Sequence, residues 1–186
     1  MAEEHSRAAG KRGVRFGVAM SLDGYIAGPN GEADWIVMDP DIDFGEIFAR
    51  FDTLVMGRGT FEAMQEMGGG AGEMPGVNVI VISRSMLPGE HPGVTVATDV
   101  AKVIADLKQR TGKDIWLFGG GQLFRSCLEL GLVDAVDVAV IPVLLGGGVP
   151  LLPAPAPRTS LTLTNHRVYE KSGIVGLEYD IVRANP

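Results

Sequence analysis

The sequence has 186 residues, which is enough for one domain with a substantial core but crowded for two. Its 16 basic and 23 acidic side chains leave a net charge of −7, and an acidic surface repels the phosphates of nucleic acids and of anionic lipids. Cys127 is the single cysteine, which excludes an intramolecular disulfide and a cysteine-rich zinc site and predicts a cytoplasmic protein.

Hydrophobic periodicity predicts the order of the structural elements. A polar, disordered tail is expected at 1–12, followed by a single domain at 13–186. The predicted elements in chain order are strand 14–20, helix 44–51, strand 53–56, helix 60–67, strand 78–82, strand 94–96, a helix between Asp99 and Gly112, strand 115–118, helix 122–130, strand 135–143, strand 161–169 and strand 174–182.

Capping residues mark several helix ends. Thr60 is a candidate N-cap, either Thr98 or Asp99 is another, and Gly112 is expected to stop the helix that follows them. The glycine run 68–72 predicts a flexible loop. These signals divide the chain into the short elements of a packed domain.

Strands and helices alternate until the last third of the chain, where strands follow one another. Alternation predicts an α/β fold with a mainly parallel sheet covered by helices. The final two strands are joined by Lys171-Ser172-Gly173, which predicts an antiparallel hairpin at one edge of the sheet.

Gly119-Gly120-Gly121-Gln122 lies between a predicted strand and a predicted helix. Backbone without side chains can approach a pyrophosphate there, and the helix dipole favours its charge. The alternative is a tight turn, although three glycines exceed what one turn needs. The dinucleotide fingerprint of the doubly wound fold is excluded, because Phe124 stands where its third glycine belongs.

Two other strand ends carry donors for a phosphate. Arg58 and Thr60 follow Gly57 after one strand, and Ser83-Arg84 follow the next. Arg58 could instead be a surface residue and Thr60 only a helix cap. Because ligands of open α/β sheets bind at the carboxyl ends of the strands, we expect these groups to share one site.

Five segments in register resemble the reductase of riboflavin biosynthesis and its dihydrofolate-reductase-like relatives. The first runs from Ala19 to Ala27 and contains Ser21-Leu22-Asp23-Gly24. The others include a tryptophan, two strand ends, the glycine run and a Pro-Val-Leu-Leu-Gly-Gly-Gly segment. The matching segments are 19–27 with 34–36, 56–62, 82–84, 118–124 and 133–151. The resemblance implies a dihydrofolate-reductase-like three-layer sandwich.

The resemblance also implies NADPH as the cofactor and assigns its contacts. Gly57, Arg58 and Thr60 would lie near the adenosine phosphates, with Ser83 and Arg84 beside the adenosine. The pyrophosphate would be held by Gly119, Gly120, Gly121, Gln122 and Leu123. The nicotinamide would be surrounded by Ala19, Ile26 and Phe124, and the substrate would meet Ser21, Tyr25 and Trp35.

Three departures from the family's patterns bear on the substrate. The zinc deaminase signature of the bifunctional riboflavin enzymes is missing. Tyr25 follows the Asp-Gly, where those enzymes commonly have a basic residue. Dihydrofolate reductases place a carboxylate shortly after the tryptophan, and Asp41 is the nearest match to Trp35, out of register by about one residue.

The predicted activity is hydride transfer from NADPH to a C=N or C=O of a small pterin-, pyrimidine- or carbonyl-type substrate. Asp41, or failing that Asp43, would deliver the accompanying proton. The acidic run that contains both residues could also be a solvated loop. The alternatives are a nucleotide-binding module of the same fold without turnover and a true dihydrofolate reductase.

Self-association is also expected. The predicted helix and sheet surfaces are rich in Val, Leu and Met, and the stand-alone relatives that the chain resembles are often homodimers with two-fold symmetry. A small-molecule substrate and a second copy of the chain are therefore the partners that the sequence predicts.

Overall fold

The computed structural model describes residues 12–68 and 76–183. The predicted tail lies outside these residues except for Arg12, which is buried and donates to the carbonyl of Lys113 at 2.7 Å and to Thr53 Oγ1 at 2.8 Å. The described chain is thus anchored one residue earlier than predicted. The glycine loop, apart from Gly68, lies outside the described residues as well.

The described residues form ten strands and four helices. In chain order these are β1 Val14–Ser21, β2 Tyr25–Ala27, α1 Phe44–Ala49, β3 Phe51–Gly57, α2 Arg58–Glu66, β4 Asn78–Ile82, β5 Val94–Ala97, α3 Val100–Lys108, β6 Asp114–Phe118, α4 Gly121–Glu129, β7 Ala135–Ile141, β8 Val149–Pro150, β9 Leu161–Tyr169 and β10 Ile174–Ile181. None of these helices is long and apolar enough to cross a membrane.

The main sheet has eight strands in the order β5-β4-β3-β6-β1-β7-β10-β9. The first six run parallel, and β10 and β9 add an antiparallel hairpin. The predicted α/β sandwich with a mainly parallel sheet and an antiparallel C-terminal hairpin is confirmed. The small β2–β8 pair was not predicted, because strands of three and two residues carry no period.

Helices cover the two faces of the sheet unequally. On one face α3 and α4 bury a continuous apolar core against β1, β6 and β7. On the other face Phe61 of α2 packs on β3 and β4, and Phe48 of α1 contacts Trp116 of β6. This second face is open above β1, β7 and β10, where the cleft described below lies.

Several predicted element ends need correction. α2 begins at Arg58 with Gly57 as its N-cap, so Thr60 lies inside the helix and does not cap it. α1 ends at Ala49, and Phe51 belongs to β3 because its side chain is buried in the sheet.

The third helix begins as predicted but ends earlier. Asp99 caps α3 by accepting a hydrogen bond from the backbone N–H of Lys102. The helix ends at Lys108 with Gln109 as its C-cap, so Gly112 lies beyond the end of the helix. Gly112 instead packs beside Arg12 and Asp52, where a Cβ would come within 2.5 Å of the Asp52 carboxylate.

Candidate functional site

A cleft of about 1360 Å³ opens along the carboxyl edge of the parallel strands. Pockets that bind one drug-sized ligand usually have volumes of about 300–1,000 Å³. The larger volume of this cleft suits a dinucleotide together with a second molecule. The ends of β1, β3, β4 and β6 meet at this edge, and both α2 and α4 begin there. Parallel pairing therefore brings together groups that are far apart in the sequence.

The glycine run turns the chain from β6 into α4. Gly119 and Gly120 have φ of 58° and 76°, which residues with a Cβ rarely adopt. A Cβ on Gly120 would also come within 3.2 Å of Thr60 Oγ1. Gly120 is the N-cap of α4, and no side chain among the described residues caps this helix, so its first N–H groups can bind an anion at the cleft.

The start of α2 lies beside the start of α4. Its N-cap is Gly57, and in the described part of the chain no side chain caps its first N–H groups either. Arg58 lines the cleft and forms an ion pair with Glu62, with 3.0 Å between Nη1 and Oε1 and both side chains about half exposed. The side chain of Thr60 lies beside the glycine run, since a Cβ on Gly119 would come within 3.0 Å of its Cγ2.

Ser83 and Arg84 form the third side of this end of the cleft. The buried hydroxyl of Ser83 accepts hydrogen bonds from the backbone N–H groups of Ser85 and Met86, at 3.2 and 3.1 Å. That turn presents Arg84 at the surface, and no group in residues 12–68 or 76–183 forms a hydrogen bond or ion pair with its guanidinium. Two uncapped helix starts and two arginines fit the phosphates of a dinucleotide.

Aromatic side chains form a wall further along the cleft. The indole of Trp116 donates to the carbonyl of Gly17 at 3.1 Å and packs against Phe48, Phe51 and Phe118. A Cβ on Gly17 would lie 2.5 Å from the indole nitrogen, so glycine is required there for this arrangement. Consequently no side chain projects from position 17 of the sheet beside this wall.

A cluster of four charged side chains lies on the open face of the sheet. Arg15 donates to both carboxylate oxygens of Asp137, at 2.8 and 2.6 Å, and to Glu178 at 3.2 Å. Arg50 Nη2 donates to Glu178 at 3.1 Å. Asn165 donates to the other oxygen of Glu178. Except for Arg15, these side chains line the cleft.

Charge pairing shifts the pKa values of Arg15 and Glu178 in this cluster. Burial lowers the pKa of Arg15, but its hydrogen bonds to Asp137 and the charge of that carboxylate outweigh burial and raise the pKa. Burial raises the pKa of Glu178, whereas the charge of Arg50 and the hydrogen bonds of Asn165 and Arg50 outweigh it and lower the pKa. Glu178 is therefore ionised at neutral pH and is an acceptor, not an acid.

The structure separates the two predicted proton donors. Asp41 lies outside the cleft, where Lys171 forms an ion pair with it at 2.8 Å and Arg167 donates to its backbone carbonyl. Asp41 was predicted to lie in the cleft, but it lies at a contact between the 38–43 loop and the β9–β10 turn. Asp43 lines the cleft and caps α1, accepting from the N–H of Glu46 at 2.9 Å.

The predicted substrate residues do not line the cleft. Ser21 is fully buried, and its hydroxyl donates to Asp23 at 2.6 Å and accepts from the N–H of Tyr25. Trp35 donates to the carbonyl of Glu32 within the loop. Their positions correct the expected direct contacts, because the polar atoms of Ser21 and Trp35 are already engaged in shaping the loop after β1.

Of the three residues predicted around the nicotinamide, two line the cleft and one does not. Ala19 and Ile26 line the cleft, as do Gln122 and Leu123 at the start of α4. Phe124 is buried on the far side of that helix and stacks on Phe16 with 3.8 Å between ring centroids. It is corrected to a core residue, because one helical step turns its side chain away from the cleft.

Sequence reasoning missed the aromatic wall and the charged cluster. Trp116 carried no signal beyond its residue type. Arg15 and Asp137 carried a usable one, because each is the single charge inside an otherwise apolar strand, whereas Glu178 shares its strand with Asp180. Buried charges are costly unless they are paired, so such positions point to partners in neighbouring strands.

Comparisons with known proteins give a consistent picture. The sequence profile of the RibD C-terminal domain matches residues 12–175. The uncharacterized protein YyaP of Bacillus subtilis (strain 168) is 32% identical over 180 residues, covering 91% of this chain and 95% of its own.

Solved structures agree with the profile. A putative riboflavin biosynthesis protein from Shewanella sp. PV-4 has a TM-score of 0.78 and 28% identity, covering 92% of this chain and 99% of its own. The dihydrofolate reductase of Enterococcus faecalis, complexed with NADP(H), has a TM-score of 0.69 and 20% identity, covering 92% and 97%. The second likeness concerns the fold alone.

Proposed function

The chain belongs to the RibD C-terminal domain family, and on that premise we propose that it is an NADPH-dependent reductase of a small pterin-, pyrimidine- or carbonyl-type substrate. The observation that carries the proposal is the meeting of two uncapped helix starts with Arg58 and Arg84 at one end of a large cleft. A fold relative complexed with NADP(H) supports the choice of cofactor.

The proposed cofactor contacts follow the donors at the strand ends. The first N–H groups of α4 bind the pyrophosphate, and Gly119 and Gly120 let it approach the backbone. Arg58 and Arg84 share the 2′-phosphate. Glu62 accepts from only one nitrogen of Arg58, and it does not pair with Arg84, so both guanidinium groups keep donors for the phosphate. Ala19 and Ile26 border the nicotinamide half of the cleft.

Bound NADPH supplies the hydride, and the chain orients the substrate and provides the proton. We assign proton delivery to Asp43, directly or through a water molecule, because it is the one of the two predicted acids that lines the cleft. Trp116 and Phe118 exclude water from one side of the reacting groups. Glu178 stays ionised and takes no part in the proton transfer.

Two measurements test the proposal in sequence. Calorimetric titration with NADPH and NADH should show binding of both with preference for NADPH. A screen of metabolite pools for substrate-dependent loss of NADPH absorbance should then find turnover. Binding without any turnover would favour a nucleotide-binding module. Absence of NADPH binding would remove the proposal altogether.

We also propose that two copies of the chain associate through β9. This strand is an unpaired edge of nine residues, and Leu161, Leu163 and Val168 on it are 43%, 50% and 57% exposed. Long exposed apolar edges invite pairing with another chain. A two-fold axis beside β9 would cover the same surface on both copies.

A cytoplasmic location fits the cysteine chemistry. Cys127 is buried, and burial raises the pKa of its thiol to about 12. A protonated, solvent-excluded thiol with no second cysteine in the sequence needs no oxidising compartment. We therefore propose that the protein acts in the cytoplasm.

A further inference from the structure

A second pocket lies at the edge of the sheet opposite the cleft. It has a volume of about 470 Å³ and opens at the amino ends of β3 and β4, beside the C-terminal end of α3. Among the described residues, none lines both this pocket and the cleft. We propose that this amino-edge pocket binds the phosphate group of a small molecule. The proposal does not depend on the reductase function.

One wall of the amino-edge pocket is a buried arginine that is held in a fixed position. The side chain of Arg12 is only 4% exposed. Its Nε donates to the carbonyl of Lys113 at 2.7 Å, and its Nη2 donates to Thr53 Oγ1 at 2.8 Å and to Asp52. Within residues 12–68 and 76–183, Nη1 has no hydrogen-bond partner. Because Arg12 lines the pocket, a ligand there meets a charged donor whose position is already set.

Asp52 is the acidic residue among the described residues that line this pocket, and its carboxylate is already used. Oδ1 accepts from Arg12 and, at 2.8 Å, from the hydroxyl of Thr53, while Oδ2 accepts from the backbone N–H of Lys113 at 2.8 Å. A Cβ at Gly112 would lie 2.5 Å from Oδ2 of Asp52 and 3.0 Å from Cζ of Arg12, so this packing requires glycine. Asp52 therefore orients Arg12 and leaves Nη1 for a ligand.

The rim of the pocket carries three polar side chains without partners. Arg110 and Thr111 follow α3, and Asn78 is the first residue of β4. All three residues are exposed and line the pocket, and their side chains form no hydrogen bond or ion pair with any other described residue. A guanidinium, a hydroxyl and an amide thus add free donors to the one that Arg12 offers.

The charges of the pocket favour an anion. Arg12 and Arg110 stand against Asp52, which leaves one net positive charge on the lining of a protein whose net charge is −7. Asp106 and Asp114 do not line the pocket, and the ion pairs of the described chain do not include one between Asp106 and Arg110. The end of α3 carries about half a negative charge, which is less than the two guanidinium groups supply. Phosphate suits such a site because it accepts several charge-assisted hydrogen bonds at once.

Apolar side chains indicate what the phosphate is attached to. Val77 and Leu107 also line the pocket. Its volume of about 470 Å³ falls within the range of about 300–1,000 Å³ that is usual for small-molecule sites. A phosphate ion by itself would leave the apolar part of the pocket unfilled. The ligand class that fits is therefore a phosphate monoester with a small apolar part.

The test follows backbone amide signals by nuclear magnetic resonance during titration at constant ionic strength. The three probes are inorganic phosphate, phenyl phosphate and phenol. The signals of Asn78 and Thr111 report binding in the amino-edge pocket, and those of Gly119 and Gly120 report binding in the cleft. Each titration is repeated with NADP⁺ present.

Three variants are compared with the wild-type protein: Arg110→Met, Arg110→Lys and Arg158→Met. Arg110 is exposed and unpaired among the described residues, so its loss should leave the fold intact. Arg158 is the matched control, because it is also exposed but lines neither the amino-edge pocket nor the cleft.

Phenyl phosphate should produce saturable shifts of the Asn78 and Thr111 signals, and it should bind about threefold more tightly than inorganic phosphate because the ring contacts apolar side chains. Phenol should cause no saturable shift. Arg110→Met should weaken phenyl phosphate about tenfold, Arg110→Lys should weaken it less, and Arg158→Met should bind as the wild type does. NADP⁺ should leave all of these affinities unchanged.

Four results would overturn the inference. They are the absence of saturable shifts at Asn78 and Thr111 with both phosphates, phenol binding as tightly as phenyl phosphate, equal affinities in Arg110→Met and Arg158→Met, and competition by NADP⁺ for the same signals. Failure of the reductase proposal would look different. NADP⁺ would then leave the Gly119 and Gly120 signals unmoved, while Asn78 and Thr111 would still report on the amino-edge pocket.

Discussion

Under the proposed function, Arg58 is the residue on which we expect cofactor choice to depend most. We expect Arg58→Ala to weaken NADPH binding about tenfold, because a charge-assisted hydrogen bond contributes roughly 1.5–3 kcal/mol and this side chain is half exposed. NADH lacks the 2′-phosphate and should bind nearly unchanged. Calorimetric titration of both cofactors checks the difference.

Glu62 provides the control for that experiment. Its ion pair with Arg58 joins neighbouring turns of α2 and is exposed, and such pairs contribute only about 0.3–0.5 kcal/mol. Glu62→Gln should free the arginine and strengthen NADPH binding about twofold. Equal losses of NADPH and NADH in Arg58→Ala would instead assign this arginine to the shared pyrophosphate or to the fold.

Substitutions at Gly120 and Gly131 distinguish the effect of backbone strain from the effect of ligand contact. Both have positive φ, at 76° and 65°, but only Gly120 lies in the cleft. Each substitution to Ala should destabilise the fold by about 1 kcal/mol. Only Gly120→Ala should also lose most NADPH affinity, since its Cβ intrudes between Thr60 and the ligand.

Thermal unfolding and NADPH titration of the two glycine variants decide between these effects. The glycine run would be only a turn if Gly120→Ala bound NADPH as tightly as Gly131→Ala. Gly131 is a suitable reference because it follows the C-terminus of α4 and a Cβ there meets no atom within 4 Å.

The proton donor can be tested without disturbing α1. Asp43→Ser keeps a side-chain oxygen that caps the helix but removes the carboxyl group. The rate of NADPH oxidation with a substrate found by the screen should fall about a hundredfold, within the range of general acid catalysis. Asp41→Asn should stay within about twofold of wild type, because its side chain faces Lys171 outside the cleft. Equal rates for wild type and Asp43→Ser would assign the proton to solvent.

At the scale of elements, the loop after β1 is clamped to the loop before β8. Asp23 accepts hydrogen bonds from the hydroxyl of Ser21 at 2.6 Å and from the N–H groups of Leu145 and Gly146 at 3.1 and 2.7 Å. Leu22 also donates to the carbonyl of Val143. This clamp fixes the short strand that carries Ile26 into the cleft.

The clamp predicts a particular pH dependence of stability. The hydrogen bond from Ser21 lowers the pKa of Asp23, and the N–H groups of Gly146 and Leu145 lower it further. A lowered pKa means that the stabilisation is present at neutral pH and disappears as the pH falls through the folded-state pKa. Asp23→Asn should lower the Tm at neutral pH and flatten its acid-side decline.

Melting curves from neutral pH down to about pH 3 check this expectation. Asp106→Asn, on the exposed side of α3, should leave both the Tm and its pH profile unchanged. If Asp23→Asn keeps the wild-type profile, the clamp contributes nothing measurable and Ile26 is held by packing alone.

At the scale of the whole molecule, the sheet ends on an uncovered strand. The helices pack toward the centre of the sheet, and eight of the nine residues of β9 are exposed. We expect light scattering at micromolar concentration to show a dimer. Leu163→Glu should dissociate it, because a charge on the apolar edge cannot be buried unpaired.

Leu130→Glu is the matched control, since Leu130 is 55% exposed at the end of α4, away from β9. This variant should remain dimeric. A wild-type protein that is monomeric at micromolar concentration and above would contradict the self-association, and dissociation by both variants would place the interface elsewhere.

The sequence by itself determined the order of the longer elements and the glycine turns that lead into α2 and α4. Both depend on local patterns: alternating apolar residues define strands, and glycine followed by a helix start defines an anion site wherever it occurs. Because parallel strands share one carboxyl edge, Gly57, Ser83 and Gly119 could be grouped before any contact was known.

Only the tertiary structure decided the rest of the cleft. Arg15 meets Asp137 and Glu178 across 122 and 163 positions of sequence, and Asp41 meets Lys171 across 130. Such neighbours follow from strand order and register, which one segment's periodicity does not encode. Asp41 was placed in the cleft through a resemblance that was out of register by about one residue. Arg50 was left out, because its contact with Glu178 joins the end of α1 to a strand 128 positions away.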